Sequence, residues 1–239
     1  MTAPPAPATR APRRQQGGPP PLAVGLAYGV LLVTGVILSA RTPLPSAGPA
    51  AVLAYDRSHH TLMQVAAFFE FAAAAPLAIW TATVYRRLRT LGVTAPGAVI
   101  ALAGGLLAAA SLALSGLITW TIAQASSVVG PALARVLGDL AFATGSAGFV
   151  VPAGLLVAGA SVPALLLGLT PRPWAWFGLV VAAISVLATV VLLTGAMDPV
   201  LPIGRFGSLI WLIGVSVLLP HHRQELRGGM AREPRPITS

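Results

Sequence analysis

Glu70 is a carboxyl residue within an apolar stretch, where Phe68, Phe69 and Phe71 surround it. If that stretch crosses a membrane, an ionised carboxylate there costs several kcal/mol unless it is paired, hydrated or protonated. Ionisable groups in such segments commonly bind ions or transfer protons. Glu70 is therefore the first candidate for chemistry. The alternative is a protonated Glu70 that hydrogen-bonds a neighbouring hydroxyl or carbonyl and only stabilises packing.

Arg135 and Asp139 are four residues apart, so on a helix they share one face. The simpler interpretation is a local ion pair near the start of that helix. The sharper interpretation is that Arg135 also reaches Glu70, which would create an intramembrane polar cluster of Glu70, Arg135 and Asp139.

Six further polar residues are predicted at the outer face: Asp56, Arg57, His59, His60, Asp198 and Arg205. His59 and His60 are adjacent, so a helix would point them about 100° apart, which suits a solvated segment better than a shared metal ion. No histidine falls inside a predicted span to ligate a haem. The chain has no cysteine for a thiolate site, and it has no glycine-rich phosphate loop or HExxH motif. We therefore predict neither a metal nor a cofactor.

The composition predicts the elements that hold these residues. Only 9% of the residues are charged, against about 25% in a soluble domain, and the mean hydropathy is +0.82. Long uncharged stretches of about 20 residues match transmembrane helices. We predict an all-α polytopic bundle with six spans, at residues 22–40, 61–84, 96–120, 133–158, 174–195 and 203–219. A break is expected at Ser161-Val162-Pro163, after the fourth span.

The distribution of arginine predicts the orientation. All fifteen basic residues are arginine, and eleven lie on one side of the predicted topology: Arg10, Arg13, Arg14, Arg86, Arg87, Arg89, Arg172, Arg223, Arg227, Arg232 and Arg235. Four lie on the other side: Arg41, Arg57, Arg135 and Arg205. The bias favours both termini inside. The absence of lysine and the abundance of alanine, glycine and arginine are typical of a GC-rich bacterial genome, so we expect a multi-pass protein of a bacterial cytoplasmic membrane.

The charge does not indicate nucleic-acid binding, because the arginines lie mainly in the tails and one loop, without interleaved aromatic residues. The predicted partner is the lipid bilayer, and no nucleic acid is expected. The five tryptophans lie mostly near predicted span ends, where we expect interfacial anchors.

Both ends of the chain are predicted to be tails. Residues 1–21 are rich in proline and glycine and lack bulky apolar side chains, so we expect disorder. Residues 221–239 form a second basic tail. A cleaved signal peptide is the alternative at the N-terminus, but the first apolar run is longer than a signal core, which favours an uncleaved span.

Small residues predict where helices approach closely. Gly25 and Gly29 form a GxxxG pair, and Gly104-Gly105 begins a stripe of small residues in the third span. In lipid, such residues let helix backbones come close together. Packing within one chain is the simpler interpretation, and a homodimer face is the alternative.

The block from Ala67 to Phe71, with Pro76–Thr83, Arg87-Leu88-Arg89 and Leu91-Gly92-Val93, resembles a stretch of small polytopic membrane proteins of actinobacteria whose function is not established. Similar features follow at Gly104-Gly105, Ser115-Gly116-Leu117 and Trp120. The resemblance covers residues 20–220 and excludes the tails. It implies a six-helix membrane protein and transfers no catalytic residue.

Three functions are compatible with these residues. The favoured one is a small binding or accessory protein with an outward-facing polar pocket for an unidentified small molecule near Glu70, Arg135 and Asp139. The second is a proton-coupled carrier in which Glu70 titrates, although the second half of the chain has no counterpart of Glu70. The third is a membrane-embedded enzyme acting on lipid, which no catalytic motif supports.

Overall fold

The computed structural model describes residues 19–43, 46–194 and 198–219. Within these ranges the chain forms eight α-helices and no strand: α1 (Pro21–Ser39), α2 (Pro49–Ser58), α3 (His60–Thr90), α4 (Gly97–Ala125), α5 (Pro131–Gly145), α6 (Ala147–Leu166), α7 (Arg172–Leu187) and α8 (Val200–Leu218). A short 3-10 helix, Ala188–Leu192, continues α7. The predicted tails lie outside the described residues, apart from residues 19–21.

Six helical segments are long and apolar enough to cross a membrane, with α5 and α6 together forming one of them. The prediction of an all-α polytopic bundle with six spans is confirmed. Large apolar side chains such as Val30, Phe68 and Leu166 are exposed on the outer surface, which suits a lipid environment. At 31 residues, α3 is about 46 Å long, longer than the hydrocarbon core of about 30 Å. It therefore continues past the predicted end at residue 84, through the basic segment, to Thr90.

The spans form a closed ring. In this ring α1 packs on α3 and α8, α3 packs on α4, α4 packs on α6, and α6 packs on α7 and α8. The short helix α2 is not a span; it packs mainly on α5. Because the number of spans is even, the two ends of the described chain lie on one side of the bundle. The connections that contain α2, residues 126–130 and the α7–α8 link lie on the opposite side, which we call the outer face.

The glycines predicted at helix contacts lie at contacts within the chain. A Cβ on Gly104 would lie 2.5 Å from the backbone nitrogen of Leu156 in α6, and one on Gly105 would overlap Thr81 in α3. Gly25 and Gly29 face α8, where a Cβ would lie 2.9 Å from a methyl carbon of Leu212 and 3.1 Å from one of Leu209, respectively. The GxxxG pair is therefore occupied by a neighbouring helix of the same chain.

Two tryptophans predicted as interfacial anchors lie in the core, and for them the prediction was wrong. Trp80 and Trp211 are 0% and 1% exposed, with ring centroids 6.5 Å apart. The Trp80 indole donates a hydrogen bond of 2.8 Å to Ser216 Oγ. Trp80 lies well inside its helix because α3 is longer than predicted. Trp120 and Trp176 are exposed, as an anchor requires.

The helix break in the fourth span lies elsewhere than predicted. α6 continues through Ser161 and Pro163 to Leu166, and the chain leaves the helical conformation instead at Ser146, where φ is −95° and ψ is −96°. Glycine has low helix propensity, and the break follows Gly145 directly. Pro163 is tolerated because α6 is packed against α4 at this level, where Gly159 and Gly97 bring the two backbones together.

Candidate functional site

A cavity of about 390 Å³ lies in the outer half of the bundle. Its walls come from the end of α1, from α2, from the first half of α3, from the second half of α4, from α5 and from the start of α8. Helices that are far apart in sequence therefore contribute to one space. A volume in this range suits a small-molecule site.

All four carboxyl residues of the described chain line this cavity: Asp56, Glu70, Asp139 and Asp198. Two arginines, Arg135 and Arg205, line it as well. When all six are ionised, the cavity carries two negative charges in excess. In a chain whose net charge is +9, this is a local inversion of sign.

Glu70 lies deep in the cavity. It is the eleventh residue of α3, about 15 Å along that helix from its outer end. Ser115 Oγ lies 3.2 Å from Glu70 Oε2 and 3.2 Å from the Ala141 carbonyl oxygen, so its single proton can go to either acceptor. Ser39 is a second hydrogen-bond partner of Glu70. The carboxyl group therefore has polar neighbours from two other spans.

Arg205 is the cation that interacts electrostatically with Glu70. Its guanidinium donates a hydrogen bond to the carbonyl oxygen of Gly145, at the break between α5 and α6. It also lies 5.4 Å from the ring centroid of Phe149. One side chain of α8 thus contacts both halves of the broken span and interacts electrostatically with the carboxyl group of α3.

Arg135 and Asp139 form the ion pair that their spacing predicts. Arg135 Nε lies 2.9 Å from both carboxylate oxygens of Asp139. The guanidinium also donates to the carbonyl oxygen of Ala47 in the segment between α1 and α2. The structure does not bring Arg135 within ion-pair distance of Glu70 among the described residues. The cation that acts on Glu70 is instead Arg205, through a longer-range electrostatic interaction and not an ion pair.

Asp56 and Ser146 are buried polar residues without partners. Asp56 is 2% exposed and its Oδ2 has no hydrogen-bond partner, and Ser146 is 6% exposed with an unpartnered Oγ. Both line the cavity. Burial raises the pKa of Asp56, which lies in α2 outside the spans, to about 6. Buried polar atoms of folded proteins are nearly always hydrogen-bonded, and these two can take a partner that enters the cavity.

The other predicted outer residues lie outside this cavity. Arg57 donates a hydrogen bond of 3.0 Å to the Ser126 carbonyl oxygen, which ties α2 to the end of α4. Arg57 and His60 border a second pocket with Gln64. His59 stacks on Tyr55 with ring centroids 4.3 Å apart. In the part of the chain that the structure describes, no three His, Asp or Glu residues are placed to hold a metal ion.

Sequence reasoning placed Arg205 at the outer face and not beside Glu70. A signal was present, because Arg205 is the only charged residue of the apolar segment Val200–Leu218, as Glu70 is in its own apolar stretch. Two opposite charges isolated in different spans are expected to meet, since each is costly alone. The burial of Asp56 had no such signal.

The cavity can attract a polar solute, offer it carboxylate acceptors and enclose its apolar part between Phe142, Phe206 and Met63. The described residues thus form a polar site inside a polytopic helical membrane protein. Comparisons of the chain with protein-family models, with curated proteins and with solved structures find no match.

Proposed function

We propose that this protein binds a small polar solute in the cavity. The solute enters from the outer face of the bundle, which faces the outside of a bacterial cytoplasmic membrane. Both termini of the chain lie inside. The convergence of every carboxyl residue of the described chain on one space carries the proposal. A bundle that only had to fold would not need them there. Ionisable groups inside a membrane are expensive, and they usually mark a ligand or ion pathway.

The size of the cavity supports the same role. Its volume of about 390 Å³ holds on the order of a dozen water molecules. Apolar side chains cover part of the wall, and a few polar groups from different helices converge on it, as in small-molecule sites generally. Orphaned polar atoms on the wall can be satisfied by a ligand.

A proton-coupled carrier is the second candidate, and the break at Ser146 favours it. Unwound backbone at membrane depth occurs where it lines a cavity, and broken helices of this kind form the substrate sites of many transporters. Glu70 would carry the proton. If the protein is such a carrier, Glu70→Gln abolishes transport of the solute into proteoliposomes, while the variant still inserts and folds. Unchanged flux would rule the carrier out. An enzyme acting on lipid is the third candidate, and His59 and His60 would serve it only at a site outside this cavity, which they do not line.

Because the chain contains no cysteine, one introduced thiol can be labelled without reaction at any other site. Ser146→Cys places one thiol on the cavity wall at a hydroxyl that has no partner. Reconstituted protein is treated with a membrane-impermeant thiol reagent from the outer face. We expect the thiol to react. A solute that binds in the cavity should slow this reaction, and the effect should saturate as its concentration rises. Leu155→Cys, whose side chain is on the outside of α6, should not react.

A cavity-filling variant shows whether the thiol reagent reaches position 146 through the cavity. A Cβ on Gly138 meets nothing closer than Val52 Cγ1 at 3.9 Å, so Gly138→Phe can fill the cavity without a backbone clash. It should slow modification of the thiol, whereas Leu140→Phe, on the exposed side of the same helix, should not. A thiol that reacts only after unfolding would disprove an open cavity. Open access with no protection by any polar solute would disprove binding.

A further inference from the structure

The charges of the cavity are not equally compensated. Asp139 is paired with Arg135 at 2.9 Å, and Glu70 interacts with Arg205. Both guanidiniums are engaged further, one with the Ala47 carbonyl oxygen and the other with that of Gly145. Each arginine thus has a carboxylate that offsets its charge and a carbonyl oxygen that holds part of its guanidinium.

Asp56 and Asp198 have no ion-pair partner among the residues that the structure describes. Asp198 is partly exposed, whereas Asp56 is 2% exposed. A buried carboxylate without a counter-charge or a hydrogen bond on one oxygen is expensive. With a pKa of about 6, Asp56 is still mostly ionised at neutral pH. A cation in the cavity would offset this charge.

Resting on the proposed function, we infer that the ligand carries a positively charged ammonium group, and that Asp56 and Asp198 are its counter-ions. The uncompensated carboxylates define the charge of the ligand. The unpartnered Ser146 Oγ is an additional polar contact on the wall.

The walls favour an organic ammonium over a metal ion. In the described chain no three acidic or histidine side chains are close enough to hold a metal. Apolar side chains from five helices line the same space: Val52, Met63, Ile122, Phe142 and Phe206. Alkyl groups of an ammonium ligand can pack on them, and aromatic rings attract such cations. A solute with an amine at one end and an apolar body fits both features.

The test uses the thiol of the Ser146→Cys variant with two reagents of similar size and opposite charge. These are trimethylammonium-ethyl methanethiosulfonate and its sulfonato-ethyl analogue, and each rate is divided by the rate with a free thiol in solution. Two excess negative charges should give the cationic reagent an advantage of about tenfold or more. Asp56→Asn should reduce that ratio several-fold, and Asp198→Asn should also reduce it. Arg172→Gln changes the net charge by the same amount at an exposed position on the opposite side of the bundle, and it should leave the ratio unchanged.

Protection by butylammonium, butyrate and butan-1-ol then tests recognition with a matched set of probes. Only butylammonium should slow modification, and Asp56→Asn should weaken its protection about tenfold. Equal rates for both reagents, or protection by butyrate, would overturn the ammonium assignment and leave the proposed binding function standing. An unreactive thiol, or protection by no polar solute, would instead overturn the binding function itself.

Discussion

Arg205 on α8 donates a hydrogen bond to the carbonyl oxygen of Gly145, the last residue of α5. The carbonyl groups at the end of a helix have no intrahelical partner, and within a membrane an unpaired one is costly. Arg205 satisfies this carbonyl and stabilises the break that opens the outer half of the bundle. The same guanidinium interacts with Glu70, so the break and the buried carboxyl depend on one side chain.

The electrostatic interaction of Arg205 with Glu70 predicts a large and non-additive effect on stability. Arg205→Gln leaves Glu70 and the Gly145 carbonyl without their cation, and we expect it to lower the free energy of unfolding by about 3 kcal/mol. Adding Glu70→Gln should recover part of that loss, because the buried charge is removed as well. Unfolding in mixed micelles measures all three variants.

Arg172→Gln is the control for this cycle, because Arg172 is exposed, and it should change stability by less than about 0.5 kcal/mol. Strictly additive losses in the double variant would mean that Arg205 and Glu70 do not interact.

Close packing of α4 on α6 predicts that Gly104 cannot carry a side chain. A Cβ there would lie 2.5 Å from the Leu156 nitrogen and 2.7 Å from the Pro152 carbonyl oxygen, and backbone atoms cannot move aside cheaply. Gly104→Ala should destabilise the protein by about 2 kcal/mol or more. Gly138→Ala should instead be neutral or stabilising by up to about 1 kcal/mol, because its Cβ has room and alanine favours the helix. Equal melting temperatures for the two variants would contradict this packing.

Burial of Asp56 predicts how stability changes with pH. Its pKa rises from 3.8 in the unfolded chain to about 6 in the folded protein. The folded state therefore binds the proton more tightly, so between these two values stability falls as pH rises. Asp56→Asn removes this slope and should raise the free energy of unfolding at neutral pH by about 1–2 kcal/mol. Melting temperatures at pH 4.5 and 7.5 compare the two proteins, and parallel pH profiles would refute the assignment.

The same ionisation predicts the pH dependence of cation entry. The preference of the Ser146→Cys thiol for the cationic reagent should decline as pH falls through about 6, because Asp56 becomes neutral. The helices packed against α2 carry other titratable and charged groups. These are Arg135 and Asp139 on α5, His60 and Glu70 on α3, and Arg86, Arg87 and Arg89 at the far end of α3, whereas α4 carries none. In the Asp56→Asn variant, any pH dependence of the reagent preference that remains comes from these other groups. A wild-type profile that matches that of the variant would exclude Asp56 as the titrating residue.

Much of the architecture follows from local properties of the sequence. The free energy of transferring an apolar segment into lipid is a sum over the residues of that segment. The number of spans could therefore be counted from the sequence. The ion pair of Arg135 with Asp139 was equally accessible, since four residues on one helix set its geometry. The length of α3 was underestimated because arginines and polar residues at its inner end continue the helix beyond the hydrocarbon.

Contacts between helices depend on how each span is rotated about its axis and on which other spans it packs against. The transfer free energy of a single segment carries no information about either. Only the tertiary structure brought Arg205 to Glu70 across 135 positions of sequence, turned Trp80 and Trp211 into the core and moved the break to Ser146. Asp56 became buried for the same reason, because α2 packs against α5 instead of extending into solvent. Hydrophobicity along the chain thus determined that this protein is a six-span bundle, and the packing of those spans decided where its charges meet.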